Sequence, residues 1–102
     1  MNPGIDQVSV NIRAWAREKG IHKADPNKQF LKVAEEFGEI AAALARGNNE
    51  QLKDAIGDTF VTLVILAMQC DTSIEDCAHI AYEEIKGRTG KTVNGIFVKE
   101  EG

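Results

Sequence analysis

The sequence predicts a small all-α fold, a four-helix bundle followed by a short C-terminal hairpin or ordered tail. Apolar residues recur at three- and four-residue spacing through most of the chain, and N-cap residues and glycines bound four segments. The 102 residues, 43% hydrophobic and 27% charged, are typical of one globular domain and leave no room for a second core. We therefore treat residues 1–102 as a single domain.

The first two helices are predicted from their apolar periodicity and from the residues at their ends. The first extends from about residue 6 to residue 19. Its apolar positions are Ile5, Val8, Ile12 and Trp15. The second begins with Asp25 as N-cap and Pro26 at the first helical position, and it ends at Gly47. The stripe that we expect to face the core consists of Phe30, Ala34, Phe37, Ala41 and Leu44.

The remaining elements are predicted from capping and turn signals. The third helix opens with the capping-box pair Asn48 and Gln51, and its centre is apolar on nearly every face. The fourth opens with a similar pair, Thr72 and Glu75. Its expected core face consists of Ile74, Cys77, Ala78, Ala81 and Ile85. The Asn-Gly pair at residues 94–95, between apolar residues, predicts a hairpin turn.

Composition excludes several classes of function. The net charge of −4 argues against nucleic-acid binding, which needs a basic surface. The N-terminus lacks the basic flank and apolar run of a secretory signal. The densest apolar stretch, residues 60–68, is about half the roughly 20 residues that cross a bilayer. We therefore expect a cytoplasmic protein without a membrane or nucleic-acid partner, with Cys70 and Cys77 as free thiols.

The most informative feature is acidic residues on helix faces that border apolar ones. At about 100° per residue, Glu36 and Glu39 share a face of the second helix with Lys32. Asp54 and Asp58 share a face of the third helix, where the apolar surroundings predict that Asp58 is partly desolvated. Two helices that present carboxylates inward supply the hard oxygen ligands that Mg²⁺ prefers. Ordinary ion pairs with Lys or Arg are the alternative.

These residues resemble a known family. Residues 35–39 (EEFGE), followed after a spacer by Gly57 and Asp58, resemble the EExxE and ExxD motifs of the MazG-like all-α nucleoside triphosphate pyrophosphohydrolases. The tail from Gly87 resembles that of small phage and bacterial MazG-like proteins. The resemblance implies hydrolysis of NTPs or dNTPs to the monophosphate and pyrophosphate, with Mg²⁺, or Mn²⁺ as the alternative. It also implies a role in nucleotide-pool house-cleaning and a homodimer or homotetramer with sites near subunit interfaces.

The resemblance also implies roles for individual acids. Glu36 and Glu39 correspond to metal ligands, Glu35 to the first acid of the EExxE motif, and Asp58 to the last acid of the ExxD motif. The catalytic set is therefore expected to be Glu35, Glu36, Glu39 and Asp58. The general base stays open among Glu35, Glu39 and Asp54, since each carboxylate is a candidate to take a proton from water.

One position departs from the family pattern. Ala55 stands where the glutamate of the ExxD motif is expected, and the nearest acid is Asp54, on the same face as Asp58. Either Asp54 replaces the missing ligand or the site holds fewer ions. Two other functions stay open, namely a non-catalytic helical module for oligomerisation or partner binding, and a phosphoribosyl-ATP pyrophosphohydrolase.

A triphosphate also needs cationic and polar partners. The cationic candidates are Lys32, Lys86, Arg88 and Lys91. The last three cluster around the end of the fourth helix, where basic residues also complement the helix dipole. Asn94 is a candidate for hydrogen bonding to the base or sugar, and Trp15 for stacking. Asn94 is also the expected turn residue, and Trp15 also fits the core stripe of the first helix, which we favour.

Overall fold

The computed structural model describes residues 2–100 and confirms the all-α architecture with a C-terminal hairpin. Its elements are α1 (Ile5–Glu18), α2 (Pro26–Arg46), α3 (Asn49–Gln69), α4 (Ile74–Ile85), β1 (Gly90–Val93) and β2 (Ile96–Lys99). A single 3₁₀ turn at Ile21–Lys23 leads from α1 toward α2. No single helix in the described part is long and apolar enough to cross a membrane, whereas α3 and α4 pass that test only as a pair bent by 101°.

Helices α2 and α3 begin at the predicted caps. The Asp25 carboxylate accepts a hydrogen bond from the backbone N–H of Asn27 at 2.9 Å. The Asn48 side chain accepts one from the N–H of Gln51 at 3.1 Å. Each bond satisfies a backbone donor that the helix leaves free in its first turn. Gly47, with φ of 66°, ends α2 in the left-handed conformation that glycine adopts without strain.

Helix α4 begins one residue later than predicted. Its N-cap is Ser73, whose hydroxyl accepts a hydrogen bond from the N–H of Asp76 at 3.1 Å. The predicted capping box of Thr72 and Glu75 is therefore wrong. Glu75 does not turn back to the helix start, because its carboxylate is bound by Arg13 of α1.

Helix α3 is the central element of the fold. Helix α2 packs along it after the tight connection at residues 47–48, and α1 and α4 contact it as well. Its buried residues are Ala55, Thr59, Thr62, Val64, Ile65 and Ala67. The hydroxyls of Thr59 and Thr62 donate to backbone carbonyls one turn earlier, so neither buried hydroxyl lacks a partner. The side-chain amide of Gln29 links α2 to α3 by donating to the carbonyl of Thr62.

The predicted core face of α2 is wrong. Phe30, Phe37 and Leu44 are 56%, 53% and 62% exposed. Helix α2 instead turns Val33 and Ala43 toward α3. All five residues of the predicted stripe are exposed within residues 2–100, namely Phe30, Ala34, Phe37, Ala41 and Leu44. The periodicity identified an apolar face correctly, but α3 packs beside that face rather than on it.

The predicted core positions of α1 and α4 are at most half-buried. Trp15 is 48% exposed, so it is not a core residue, and α1 buries Ser9 and Ala16 instead. None of the residues of α4 is buried, because this helix contacts the rest of the chain mainly at its N-terminal end. Of its predicted face, Ile74 is half-buried while Cys77, Ala78, Ala81 and Ile85 are exposed. The two cysteines are unpaired, which confirms the free thiols.

A charged cluster joins α1 to the start of α4. Arg13 donates a hydrogen bond to Glu75 Oε1 at 2.7 Å, and the Ser9 hydroxyl donates to the same oxygen at 2.8 Å. Arg13 also donates to the Ser9 hydroxyl oxygen. The bond from Arg13 is the main reason that the pKa of Glu75 lies below its ordinary value of 4.5. The cluster therefore holds α4 in place where hydrophobic contacts are few.

Replacing Glu75 by Gln tests this cluster. The ionised carboxylate stabilises the fold above its ordinary pKa, and this contribution is lost as the pH falls through the lowered value. We expect Glu75→Gln to reduce the free energy of unfolding by about 1 kcal/mol at pH 7 and by much less in acid. Thermal melts at several pH values measure the difference. Glu50→Gln is the exposed control, and it should show a smaller loss because its pair with Lys53 is screened by solvent. A Glu75→Gln deficit independent of pH would contradict this account.

Candidate functional site

The acidic residues singled out from the sequence line one pocket between α2 and α3. Its volume is about 270 Å³. The lining residues are Glu35, Glu36, Glu39, Gln51, Asp54, Ala55 and Asp58. The second half of α2 meets the first half of α3 because the short connection folds one helix back on the other. Three glutamates from α2 thus face two aspartates from α3 across this pocket.

The carboxylates repel one another across the pocket. Burial raises the pKa of Glu36 above its ordinary value of 4.5, and the negative charge of Asp58 raises it further. Lys32 offsets part of this effect. Asp58, expected to be partly desolvated, lines the pocket but is classed as exposed, and Glu36 is the half-buried acid. In α3, residues 56–58 are exposed, and continuous burial begins at Thr59, the residue after Asp58.

Ion pairing within the chain leaves most of this charge uncompensated. Glu35 pairs with Lys32 at 3.5 Å, and both side chains are more than half exposed. Within residues 2–100, no Lys or Arg forms an ion pair with Glu36, Glu39, Asp54 or Asp58. The ordinary-ion-pair alternative therefore applies to Glu35, where such an exposed pair contributes about 0–1 kcal/mol, and to none of the other four acids.

The donor chemistry of the pocket fits a hard divalent cation. Carboxylate oxygens are the ligands that Mg²⁺ takes from proteins. A cation among them would offset the repulsion that raises the pKa of Glu36. In the conformation described for residues 2–100, however, no three Asp, Glu, His or Cys side chains are close enough together to hold a metal ion. The pocket thus supplies the ligand type without a preformed coordination shell.

Two of the predicted phosphate-binding residues are engaged elsewhere. Lys86 pairs with Glu83 at 2.6 Å, and Arg88 pairs with Glu84 at 3.0 Å. These pairs lie within α4 and just beyond its end, and neither cation lines the acidic pocket. Binding of phosphate by Lys86 or Arg88 would have to compete with a carboxylate that is already present.

The other predicted substrate-binding residues are distributed over the chain. Lys32 lies on α2 next to the pocket, through its pair with Glu35. Lys91 is an exposed residue of β1, and Trp15 is half-exposed on α1. Asn94 takes the first central position of the hairpin turn with φ of 52°, as the Asn-Gly signal predicted. Its turn role is therefore confirmed, while its contact with substrate stays a prediction.

Gln51 is a pocket residue that the sequence interpretation assigned only to helix capping. Its side-chain oxygen accepts a hydrogen bond from Arg46 at 3.4 Å. The signal that identifies it is spacing, because Gln51, Asp54 and Asp58 lie at i, i+3 and i+7 on one face of α3. A neutral amide within an acidic pocket supplies both a donor and an acceptor.

Comparison with known proteins identifies the family. Residues 25–92 match the model of the MazG nucleotide pyrophosphohydrolase domain. The chain belongs to this family. The match begins at the N-cap of α2, ends in β1 and includes every residue that lines the acidic pocket. The matched family is described as a nucleotide pyrophosphohydrolase domain, and its members generally use divalent metals.

One similar protein comes from a bacteriophage. It is described as an uncharacterized 18.2 kDa protein in the rep-hol intergenic region of Haemophilus phage HP1. The two are 42% identical over 66 residues, which are 64% of this chain and 40% of the phage protein. The chain thus matches less than half the length of that relative. No solved structure matches the chain.

Proposed function

We propose that this MazG-family protein hydrolyses a nucleoside or deoxynucleoside triphosphate to the monophosphate and pyrophosphate, using Mg²⁺ or Mn²⁺ in the acidic pocket. The supporting observation is the meeting of five carboxylates from α2 and α3, four of them without an ion-pair partner in the described chain. The proposed cellular role is clearance of unwanted nucleotides in the cytoplasm.

In this proposal, the residues in and beside the pocket have three different roles. Glu36, Glu39, Asp58 and Asp54 would hold the cation. When bound, the cation neutralises triphosphate oxygens and lowers the pKa of a bound water. Glu35 is the preferred general base, with Glu39 and Asp54 as the other candidates. Lys32 would neutralise a phosphate oxygen at the edge of the pocket, and its loose 3.5 Å pair with Glu35 leaves it able to do so.

A substrate panel tests the activity. Pyrophosphate and monophosphate release is measured for the common NTPs, dNTPs and phosphoribosyl-ATP, with Mg²⁺ and with excess chelator. The proposal predicts equal amounts of the two products from at least one NTP or dNTP, and none in chelator. A preference for phosphoribosyl-ATP would favour that branch, and no release from any substrate would favour the non-catalytic helical module.

Replacing Asp54 by Asn tests whether it compensates for Ala55. At about 100 times its dissociation constant, a ligand that binds only the folded state adds about 2.7 kcal/mol to the free energy of unfolding. We expect Mg²⁺ to raise the melting temperature of the wild type, and the same concentration to raise that of Asp54→Asn much less. Asp71→Asn, outside the pocket, is the control. An equal Mg²⁺ shift in all three proteins would exclude Asp54 as a ligand.

Self-association as a homodimer or homotetramer is part of the proposal. The accessible surface is 7654 Å². A compact monomer of this mass exposes about 5,700 Å². The radius of gyration is 16.1 Å, whereas a compact chain of this length has about 13 Å. The exposed faces of α2, α4 and the hairpin all contribute to this excess, and a partner would cover part of it. Sedimentation should therefore give a mass above that of one chain.

A further inference from the structure

We infer that two copies of this chain pair through the outer face of α2, antiparallel, about a twofold axis between Phe37 and Gly38. The outer face is defined by four large and four small residues. The large residues are Phe30, Leu31, Phe37 and Leu44, each more than half exposed. The small residues are Ala34, Gly38, Ala41 and Ala45, all exposed. Within this chain no other helix or strand covers this face among residues 2–100.

Charge is absent from the outer face. At about 100° per residue, these eight side chains fall in a sector of about 140° that contains no charged residue. The charged residues of α2 all project from the opposite flank, and they are Lys28, Lys32, Glu35, Glu36, Glu39 and Arg46. A solvated helix face carries charges, whereas one that binds a protein partner is depleted of them. The acidic pocket is on the charged flank, so pairing through the outer face leaves it open.

The order of large and small residues makes the outer face self-complementary. A twofold axis requires that if one residue faces a second, the second faces the first. An axis between residues 37 and 38 of antiparallel helices opposes Phe37 to Gly38, Ala34 to Ala41, Leu31 to Leu44, and Phe30 to Ala45. Each aromatic ring then meets a residue with little or no side chain, as close helix packing requires. The pattern singles out a second copy of this chain as the partner.

This arrangement explains why position 38 is a glycine. A glycine in a helix interior costs about 1 kcal/mol relative to alanine. A Cβ added at Gly38 would meet nothing within 4 Å in its own chain, so the fold of one copy does not require glycine there. Opposite Phe37 of a second copy, the missing side chain leaves room for the ring.

This inference rests on the proposed self-association and not on the hydrolytic activity. Its test is sedimentation equilibrium of the wild type, Gly38→Leu and Gly57→Leu. Leucine at either glycine enters open space in its own chain and favours the helix. We expect Gly38→Leu to weaken dimerisation by about 30-fold or more, and Gly57→Leu to leave it unchanged. A monomeric wild type would overturn self-association itself, whereas a Gly38→Leu variant that dimerises normally would overturn only the assignment of this face.

Disulfide cross-linking keeps the test decisive if Gly38→Leu fails to fold. In a chain with Cys70→Ser and Cys77→Ser, the variants Ala34→Cys and Ala41→Cys are oxidised separately and as a mixture. Antiparallel pairing predicts a covalent dimer in the mixture and little in either variant alone, because each residue is offset from its own symmetry mate by about 10 Å along the helices. Cross-linking that is stronger within one variant than in the mixture would overturn the proposed register.

Discussion

Replacing Glu39 by Gln is expected to reduce pyrophosphate release at least about a hundredfold while leaving the protein folded. Glu39 is exposed, lines the acidic pocket and forms no ion pair within residues 2–100. Removing its charge therefore breaks no contact that stabilises the fold, and the free energy of unfolding should change by less than about 0.5 kcal/mol. The loss of one charged ligand should lower kcat/KM by a factor on the order of 10² to 10³.

A matched control separates a pocket effect from a general effect of charge. Glu50→Gln removes the same charge from an exposed position in the first turn of α3, outside the pocket. It should retain wild-type turnover. Circular dichroism melts of both variants confirm that they fold. Turnover above a tenth of the wild-type rate in Glu39→Gln would contradict the assignment of Glu39 as a ligand.

Asp58→Asn is expected to change activity and stability in opposite directions. The charge of Asp58 helps to raise the pKa of Glu36, so at neutral pH two ionised carboxylates oppose each other across the pocket. A raised carboxyl pKa means that stability is lost as the pH rises through the folded-state value. Without metal, Asp58→Asn should therefore be slightly more stable than the wild type at pH 7.5. The gain should be only about a few tenths of a kcal/mol, because Asp58 is exposed and solvent screens its charge.

The same substitution should lower kcat/KM by a factor on the order of 10² and remove most of the Mg²⁺-induced rise in melting temperature. The stability gain should disappear in acid, where Glu36 is protonated in both proteins. Melting temperatures in chelator at pH 7.5 and pH 4, with Mg²⁺ titrations at pH 7.5, measure these effects. A metal-free Asp58→Asn protein less stable than the wild type at pH 7.5 would refute repulsion within the pocket.

Local chemistry made the helix starts and the hairpin predictable from sequence. The caps at Asp25 and Asn48 act on donors within three residues, so no distant contact is needed to find them. The hairpin turn likewise depends on Asn94 and Gly95, with φ of 52° and 80°. At α4 two adjacent residues have a suitable hydroxyl. Ser73 is the cap, and Glu75, which a capping box at Thr72 would use, is instead bonded to Arg13, a residue far away in sequence.

Burial was less predictable, because periodicity shows that a face is apolar but not what covers it. The stripe that includes Phe30 and Phe37 is exposed in the single chain, while Val33 faces α3. The same limit applies to the candidate site. Helical spacing placed the acids in one pocket correctly, but the half-buried acid is Glu36 rather than Asp58. The burial of each acid depends on how closely α2 and α3 pack, and the sequence of one helix does not determine that distance.

The arrangement of α3 has a consequence for how this lineage can diversify. Its first half presents Asp54 and Asp58 to the pocket, whereas Thr62, Val64 and Ile65 in its second half belong to the interior. Exposed positions around these acids in the first half can therefore change with little effect on the packing that the second half provides.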